Sequence, residues 1–268
     1  MPRKAPSLAE QADRHDLYER SVQNPPGDAK LFARFFQKIR GYEAMRMRED
    51  FCGTAVLSLA WVQSKRGRTA VGIDLCQNTL DWGLTPRIQP KGPPRTDRVE
   101  LICGDVCDPH DTKADLACAL NFSYCCLKTR ADLLKYFRSV YAGLEDHGLF
   151  VLDVLGGTEA MDSGITEHDY GDFTYRWEQA QFNITNHELA CYIHFLFPDG
   201  SQLARAFSYD WRLWMLPELQ ELLREAGFTT IHVYWEKTDQ QGEGIGVFFE
   251  PAHIPNQQLW WTYVVAEK

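Results

Sequence analysis

The sequence predicts an α/β protein with a doubly wound parallel sheet and an inserted antiparallel unit. Apolar strand-like runs alternate with stretches of helical spacing between about residues 45 and 155, which is typical of a parallel sheet. Three strand-like runs within 172–211 then follow one another across short turns, which predicts an antiparallel meander. The last two strand-like runs are joined by 237–257, a stretch with no clear amphipathic helix, so an antiparallel pair is favoured there.

The N-terminal segment is predicted to hold two helices. Residues 8–23 have charged faces and end at Asn24-Pro25-Pro26-Gly27, a strong turn. Asp28 is expected to cap a second helix, in which apolar residues from Leu31 to Ile39 recur at helical spacing.

The remaining elements are read from the same periodicities. Strand one is expected to end near Asp50. It is followed by a helix at 54–63, a strand at 69–75, a helix at 78–84, a Pro-rich loop at 86–95, strands at 99–103 and 115–120, a helix at 130–144 and a strand at 149–155. The meander comprises 172–183, 188–197 and 202–211, and the chain closes with a helix at 216–226 before Gly227 and strands at 229–236 and 258–266.

Composition excludes several classes of function. The net charge is -9, whereas nucleic-acid binding usually depends on a basic surface, so no nucleic-acid partner is expected. No apolar run approaches the roughly 18 residues of a membrane span, and the first residues lack the apolar segment of a signal peptide, which predicts a cytoplasmic protein. The eight cysteines include no C-x-x-C pair, so no metal site is expected.

The most informative motif is Glu49-Asp50-Phe51-Cys52-Gly53-Thr54-Ala55, followed by an apolar run that ends in Asp74. A tight turn that opens a helix, with a carboxylate at the end of the next strand, forms a pocket for a nucleoside whose ribose needs an acidic acceptor. The same layout serves hydride transfer from a dinucleotide and methyl transfer from S-adenosylmethionine. A dinucleotide fingerprint needs three glycines, and here only Gly53 is present, which favours S-adenosylmethionine because that cofactor has no pyrophosphate.

The stretch from Arg48 to Ala55 and the layout from about residue 40 onward resemble the class I S-adenosylmethionine-dependent methyltransferases. The resemblance implies a Rossmann-like seven-stranded sheet with an antiparallel last strand, S-adenosylmethionine as cofactor and S-adenosylhomocysteine as product. The insertion after strand five is similar to the cap of glycine and sugar N-methyltransferases, which implies a small-molecule acceptor. The implied organisation is an N-terminal helical lid (1–40), a cofactor-binding core (41–158), an antiparallel β cap (159–212) and the end of the core (213–268).

The resemblance also implies cofactor-binding positions. Glu49 matches an acid near the methionine amino group, Asp74 matches the ribose-binding carboxylate, and Asn121 matches a residue beside the transferable methyl. The positions matching the turn are Phe51, Cys52, Gly53 and Thr54, and those matching the adenine site are Leu75, Gly104, Asp105 and Val106. Phe51 and Ala55 depart from the commoner glycines of the family.

Two further residues keep two interpretations each. Arg48 either receives the cofactor carboxylate or pairs with a neighbouring charge inside the sheet. Tyr18 either belongs to a lid that shields the sulfonium from water or packs on its own helix.

A set of aromatic residues also keeps two interpretations. These residues either pack in the core or line a substrate pocket where ring faces favour a cationic amine, and they are Tyr170, Tyr175, Trp177, Trp211 and Trp214.

Three side chains are candidates for proton transfer. Glu178 is in phase with Arg176, so it either faces a substrate amine on the inner face of its strand or is a paired charge on the outer face. His194 lies in a very apolar strand and is either a general base or a satisfied structural histidine. Asp153 ends strand five at the carboxyl edge of the sheet, where ligands bind.

The expected activity is in-line methyl transfer to a small molecule, with an amine nitrogen as the acceptor that needs the least help from a base. An O- or C-methyltransferase, a non-catalytic nucleoside-binding protein of the same fold, and a nicotinamide-dependent oxidoreductase are the alternatives. Neither a membrane partner nor a nucleic-acid partner is expected, and a homodimer stays open.

Overall fold

A computed structural model describes residues 5–84, 96–242 and 244–268, and it confirms an α/β fold with a large, mostly parallel sheet and an additional antiparallel sheet. The helices are α1 (Leu8–Gln11), α2 (Arg14–Val22), α3 (Pro25–Arg40), α4 (Val56–Ser64), α5 (Gln77–Gly83), α6 (Arg130–Gly143) and α7 (Leu216–Ala226). None of these described helices has the length and apolar character needed to cross a membrane. The predicted loop at 86–95 lies outside the described residues.

The main sheet has eight strands in the order β11-β10-β12-β5-β4-β1-β2-β3. They are β1 (Arg46–Asp50), β2 (Thr69–Asp74), β3 (Val99–Cys103), β4 (Ala114–Ala119), β5 (Leu144–Gly156), β10 (Thr230–Thr238), β11 (Gly244–Phe249) and β12 (Trp260–Glu267). β1 is parallel to β2 and β4, whereas β12 is antiparallel to β5 and β10, as predicted.

The predicted number of seven strands is wrong by one, because β11 adds an edge strand in the stretch where no element was expected. Its sequence, Gly-Ile-Gly-Val-Phe-Phe, is glycine-interrupted and mostly exposed, so it lacks the alternation that marks a half-buried strand. It pairs antiparallel with β10.

The second sheet has the order β6-β7-β8-β9 and is antiparallel throughout. Its strands are β6 (Gly164–Asp169), β7 (Thr174–Asn183), β8 (Glu188–Leu196) and β9 (Gln202–Arg212). The last three match the predicted meander, and β6 was missed because all of its residues are exposed and no apolar alternation marks it.

Packing assigns the helices to two layers. Helices α6 and α7 cover one face of the main sheet, and α3 and α4 cover the other through Phe32, Phe36 and Trp61. Helix α3 therefore packs with the core, although the sequence placed it in the lid segment. Its N-cap is Asn24, so the predicted capping role of Asp28 is wrong, since Asp28 lies in the first turn.

The N-terminal segment before α3 also differs from the prediction. The expected single helix at 8–23 is divided into α1 and α2 because Asp13 caps α2, accepting hydrogen bonds from the backbone N–H groups of His15 and Asp16. At the other end of the chain, α7 and its left-handed C-cap at Gly227 lie where the sequence predicts them.

Candidate active site

The turn after β1 has an unusual backbone. Phe51, Gly53 and Ala55 all have left-handed conformations, with φ of 55°, 55° and 57°. This conformation costs a residue with a side chain about 1–2 kcal/mol, so two of the three positions are strained. Tertiary hydrogen bonds hold the turn: Gly53 N donates to Asp74 Oδ2 at 2.8 Å. The fold thus imposes at Phe51 and Ala55 the geometry that glycine adopts without strain.

Two glycines that the sequence analysis did not single out allow neighbours to approach this turn. A Cβ atom on Gly83, at the end of α5, would lie 2.2 Å from the carbonyl oxygen of Thr54. A Cβ on Gly72 in β2 would lie 2.9 Å from Cys52 Sγ. The only sequence signal for this packing was a glycine inside a strand and another at a helix end.

The ends of β2 and β3 converge beside the turn. Asp74 accepts hydrogen bonds from Gly53 N and Cys76 N, both at 2.8 Å, one on each carboxylate oxygen. Because a carboxylate oxygen has two lone pairs, Asp74 can still accept two hydroxyl groups. Gly104 N donates to the carbonyl oxygen of Asp74 at 3.0 Å, which ties the end of β3 to that of β2.

The side chains beyond these two strand ends form an edge with an apolar character. Leu75 is 71% exposed, which is unusual for a leucine that follows a buried strand. Val106 is buried, and the exposed Asp105 accepts from Cys107 N at 2.8 Å. The four predicted adenine-site positions therefore lie at the ends of two adjacent strands, and among them Leu75 presents an exposed apolar side chain.

A small acidic cavity of about 30 Å³ lies at the end of β1, lined by Glu49, Asp28 and Gln23 among others. Glu49 accepts from Ser58 N at 2.8 Å and from Ser58 Oγ at 2.6 Å. Burial, together with the negative charges of Asp74 and Asp28, raises the pKa of Glu49 to about 7.

The same cavity holds two features that the sequence analysis missed. Burial raises the pKa of Asp28 to about 6, even though Tyr263 Oη donates to it at 3.1 Å. Gln23 Oε1 is buried and has no hydrogen-bond partner among the described residues. Buried carboxylates and an unpartnered acceptor are costly unless a cation or donor meets them, so this cavity suits a ligand with a positively charged N–H group.

Arg48 does not reach this cavity. Strand alternation places it on the opposite face from Glu49, where its side chain is 1% exposed. Arg48 Nε donates to Asp50 Oδ1 at 2.7 Å, and Tyr136 Oη donates to Asp50 Oδ2 at 3.0 Å. The geometry corresponds to the structural interpretation of Arg48, an ion pair beneath α6, rather than to a contact with a cofactor carboxylate.

A large cavity of about 730 Å³ lies between the second sheet and the carboxyl edge of the main sheet. Asn121 lines both this cavity and the small acidic one. Aromatic residues dominate its lining, namely Tyr18, Phe122, Tyr175, Trp177, Tyr209, Trp211, Trp260 and Trp261. Of the predicted aromatic set, Trp214 is instead buried in the core, and Tyr170 stacks on Phe173 outside the lining.

Asp153 holds the turn that contains Asn121. Asn121 and Phe122 both have φ of 56°, and their N–H groups donate to Asp153 Oδ2 at 2.7 Å and Oδ1 at 2.9 Å. Burial raises the pKa of Asp153 to about 7. Asp153 is not among the described residues that line the large cavity, and each of its oxygens accepts from a backbone donor. The geometry therefore makes Asp153 a positioning residue rather than the proton acceptor predicted from the sequence.

Glu178 and His194 lie on the outer face of the second sheet. Trp177 and Ile193 are paired across β7 and β8 and both line the large cavity, so the residues that follow them point away from it. His194 Nε2 and Glu178 Oε2 are 2.8 Å apart, and Arg205 N donates to His194 Nδ1 at 3.2 Å. The predicted catalytic roles are therefore not supported, and both residues form a structural pair.

Helix α2 spans from the turn after β1 to the second sheet. Glu19 forms a hydrogen bond with Thr54 in the turn, and Trp82 Nε1 donates to Asp13 at 2.8 Å. Tyr18 lines the large cavity, and burial raises the pKa of its hydroxyl to about 12. Tyr209 in β9 shares a hydrogen bond with Tyr18. The helix therefore covers the junction that both cavities share.

No known family profile matches the chain, and no curated protein matches it at the level of sequence. Solved structures do match. A methyltransferase dependent on S-adenosylmethionine from Clostridium acetobutylicum is 17% identical, with 94% of this chain and 96% of that one covered and a TM-score of 0.64. The chain has the fold of the S-adenosylmethionine-dependent methyltransferases.

Two further structures extend this similarity in fold. The sugar N-methyltransferase KedS8 from Streptoalloteichus is 16% identical, with 100% of this chain and 98% of that one covered and a TM-score of 0.64. CalS10, an amino pentose methyltransferase from Micromonospora echinaspora solved with S-adenosylmethionine, is also 16% identical, with coverages of 98% and 99% and a TM-score of 0.66. The part of this chain that matches these two structures includes its second sheet and its N-terminal helices.

Proposed function

We propose that this protein is an S-adenosylmethionine-dependent methyltransferase that methylates a small molecule, at an amine nitrogen, by in-line displacement. The observation that carries the proposal is the meeting of two cavities at Asn121, one small and acidic, the other large and aromatic. Proteins of the same fold described as sugar N-methyltransferase and amino pentose methyltransferase are consistent with it.

The residues around the small cavity fit the charge of the proposed cofactor. S-adenosylmethionine carries a sulfonium and an ammonium group, and the carboxylates of Glu49 and Asp28 with the unpartnered Gln23 Oε1 provide acceptors for the ammonium. Asp74 would accept the ribose hydroxyls, and Leu75 would pack on adenine. When bound, the cofactor supplies an electrophilic methyl group.

The adenine end of the site would be completed by neighbouring positions. Asp105 and Val106 follow β3 beside Leu75, and Gly104 keeps the end of β3 against β2. The turn formed by Phe51, Cys52, Gly53 and Thr54 would be crossed by the cofactor between its two ends. These assignments stay predictions, and their support is the convergence of the strand ends described above.

The chain would contribute positioning and exclusion of water rather than strong base catalysis. Asp153 holds the turn of Asn121 and Phe122, and Tyr18 on α2 covers the junction of the cavities. Such positioning suffices for a neutral amine, whose lone pair is already nucleophilic. An oxygen or carbon acceptor needs a stronger base, and none of the three predicted acid–base side chains is among the described residues that line the large cavity.

Calorimetric titration with S-adenosylmethionine and with S-adenosylhomocysteine tests the cofactor assignment. Asp74→Ala is expected to weaken binding more than about tenfold, because two charge-assisted hydrogen bonds to ribose would be lost. Asp81→Ala, which removes an exposed carboxylate from α5, serves as the matched control and is expected to leave binding unchanged. Absence of heat with both compounds would refute the cofactor assignment, and unchanged affinity in Asp74→Ala would remove Asp74 from the ribose site.

The rival functions give different results. A nicotinamide-dependent oxidoreductase would quench or shift the fluorescence of a reduced nicotinamide dinucleotide on titration. A non-catalytic nucleoside-binding protein would bind the cofactor without transferring label from its methyl group to any component of a metabolite extract. Light scattering during gel filtration would decide whether the chain is a homodimer, which stays a prediction.

A further inference from the structure

One wall of the large cavity is made of closely packed aromatic rings. Three rings line this wall: Trp177 from β7, and Tyr209 and Trp211 from β9. The ring centroids of Tyr209 and Trp211 are 4.4 Å apart, and those of Trp177 and Tyr209 are 5.8 Å apart. Ring faces and edges of this kind favour planar apolar groups and cations. Hydroxyl-rich groups would find few partners on this wall.

Another edge of the cavity is acidic. Glu159 and Asp162 line it from the segment between β5 and β6, and neither carboxylate forms an ion pair with a described residue. None of the described residues that line the cavity is Lys or Arg. The lining residues that can carry a charge are Glu159, Asp162 and His168, so a carboxylate on the acceptor would meet two carboxylates and a single imidazole, and no permanently cationic side chain. This balance costs a carboxylate binding free energy.

The size and the mouth of the cavity point to a body larger than a single ring. Its volume of about 730 Å³ is roughly five times the 150 Å³ that admits one benzene molecule. At the lining, Trp261 is 45% exposed, Leu259 55% and Ile165 60%. Such neighbouring exposed apolar side chains mark a surface that a ligand covers.

We infer that the acceptor is an amine carried on an aromatic, apolar body that has no carboxylate, an arylalkylamine rather than an amino acid or an amino sugar. The inference rests on the proposed function, since the reacting nitrogen is assigned to Asn121, where the two cavities meet. The aromatic body would lie against Trp177, Tyr209 and Trp211, and Trp261 would cover it at the mouth of the cavity. The acidic edge would weaken the binding of zwitterionic amines.

Calorimetry with three probe amines tests the substrate class, on protein alone and on protein saturated with S-adenosylhomocysteine. Tryptamine and tryptophan form a matched pair because they differ only by a carboxylate, and glucosamine provides a polar amine. Tryptamine is expected to bind at least about fivefold more tightly than tryptophan, given repulsion from the acidic edge, with no measurable binding of glucosamine. Equal or tighter binding of tryptophan or of glucosamine, or no binding of tryptamine by folded protein, would overturn the inference.

Variants assign the binding to this cavity. Trp261→Ala is expected to weaken tryptamine binding about three- to tenfold, because one aromatic face is lost. Tyr192→Ala, on the outer face of the second sheet, is the control and is expected to have no effect. Should Trp261→Ala fail to fold, the double variant Glu159→Gln and Asp162→Asn replaces it. The double variant is expected to narrow the difference in affinity between tryptamine and tryptophan. An unchanged difference would count against the acidic edge.

The titration with S-adenosylmethionine separates this inference from the proposed function. Heat with the cofactor but none with tryptamine overturns the substrate class alone. Tryptamine binding without cofactor binding overturns the proposed function, while the cavity keeps its preference for an aromatic amine.

Discussion

Cofactor affinity is expected to depend on pH through Glu49. Its carboxyl group has a pKa of about 7 in the folded protein because of burial, and it must lose its proton to accept the cofactor's ammonium group. With that pKa, about 3% of Glu49 is ionised at about pH 5.5 and about half at about pH 7, so Glu49 alone is expected to tighten S-adenosylmethionine binding about 15-fold over this interval. The cofactor's own amino group stays mostly protonated there.

Calorimetry at several pH values, repeated in buffers of different ionisation enthalpy, measures both the affinity and the protons released. Glu49→Gln is expected to reduce the pH dependence of cofactor affinity to the few-fold contribution of Asp28, whose pKa is about 6. The same variant is expected to bind the cofactor more weakly at about pH 7. Glu178→Gln is the control, because this carboxylate lies on the outer face of the second sheet. An affinity that is independent of pH in the unmodified protein, or a Glu49→Gln variant with the same slope, would refute the assignment of Glu49 to the ammonium group.

The same carboxyl group has the opposite effect on the free protein. Its pKa in the folded state lies above the ordinary value of 4.5, so the folded state holds the proton more tightly than the unfolded state. This contribution to the free energy of unfolding is fully present below about pH 4.5 and is lost as pH rises through about 7. Its upper bound is about 3 kcal/mol. Urea titrations of the cofactor-free Glu49→Gln variant at several pH values should lack this part of the pH dependence of the free energy of unfolding.

Three further predictions concern the scaffold. His232 contacts two carboxylates, which raises its pKa, so its contribution to the free energy of unfolding should be present at low pH and lost as pH rises through the raised pKa. Thermal melts of His232→Gln should lack this loss of stability. Gly83→Ala should lower the free energy of unfolding by about 1–3 kcal/mol and weaken cofactor binding, because the added Cβ would collide with Thr54. An unchanged midpoint of urea unfolding would exclude this close approach. Ala55→Gly should be close to neutral, because relief of left-handed strain offsets the lost methyl, whereas Ala60→Gly inside α4 should cost about 1 kcal/mol in urea titrations.

The strands of the core were readable from the sequence because each is a short apolar run bounded by turn residues. Helix α7 could be placed to the residue, since its amphipathic spacing ends at Gly227. Strands β6 and β11 were not readable, because exposed edge strands need no apolar alternation. Their pairing is decided by the neighbouring strand rather than by their own residues.

The candidate site shows the same division. The acids at the ends of β1 and β2 were identifiable, since a carboxylate after an apolar strand needs a partner. The face on which Glu178 and His194 lie was not, because period-2 alternation divides residues between two faces without saying which one is covered. Asp28 and Gln23 were missed because they join the site through the packing of α3 and its preceding turn.

The sequence by itself determined which residues form the core strands, which turn opens a helix, and where acids end the strands, because these properties depend on neighbours in the chain. Only the tertiary structure decided that Phe51 and Ala55 adopt left-handed conformations, that Arg48 points under α6, and that Asp153 holds the Asn121 turn. These outcomes depend on contacts between residues far apart in sequence, and the free energy of those contacts outweighs local preference.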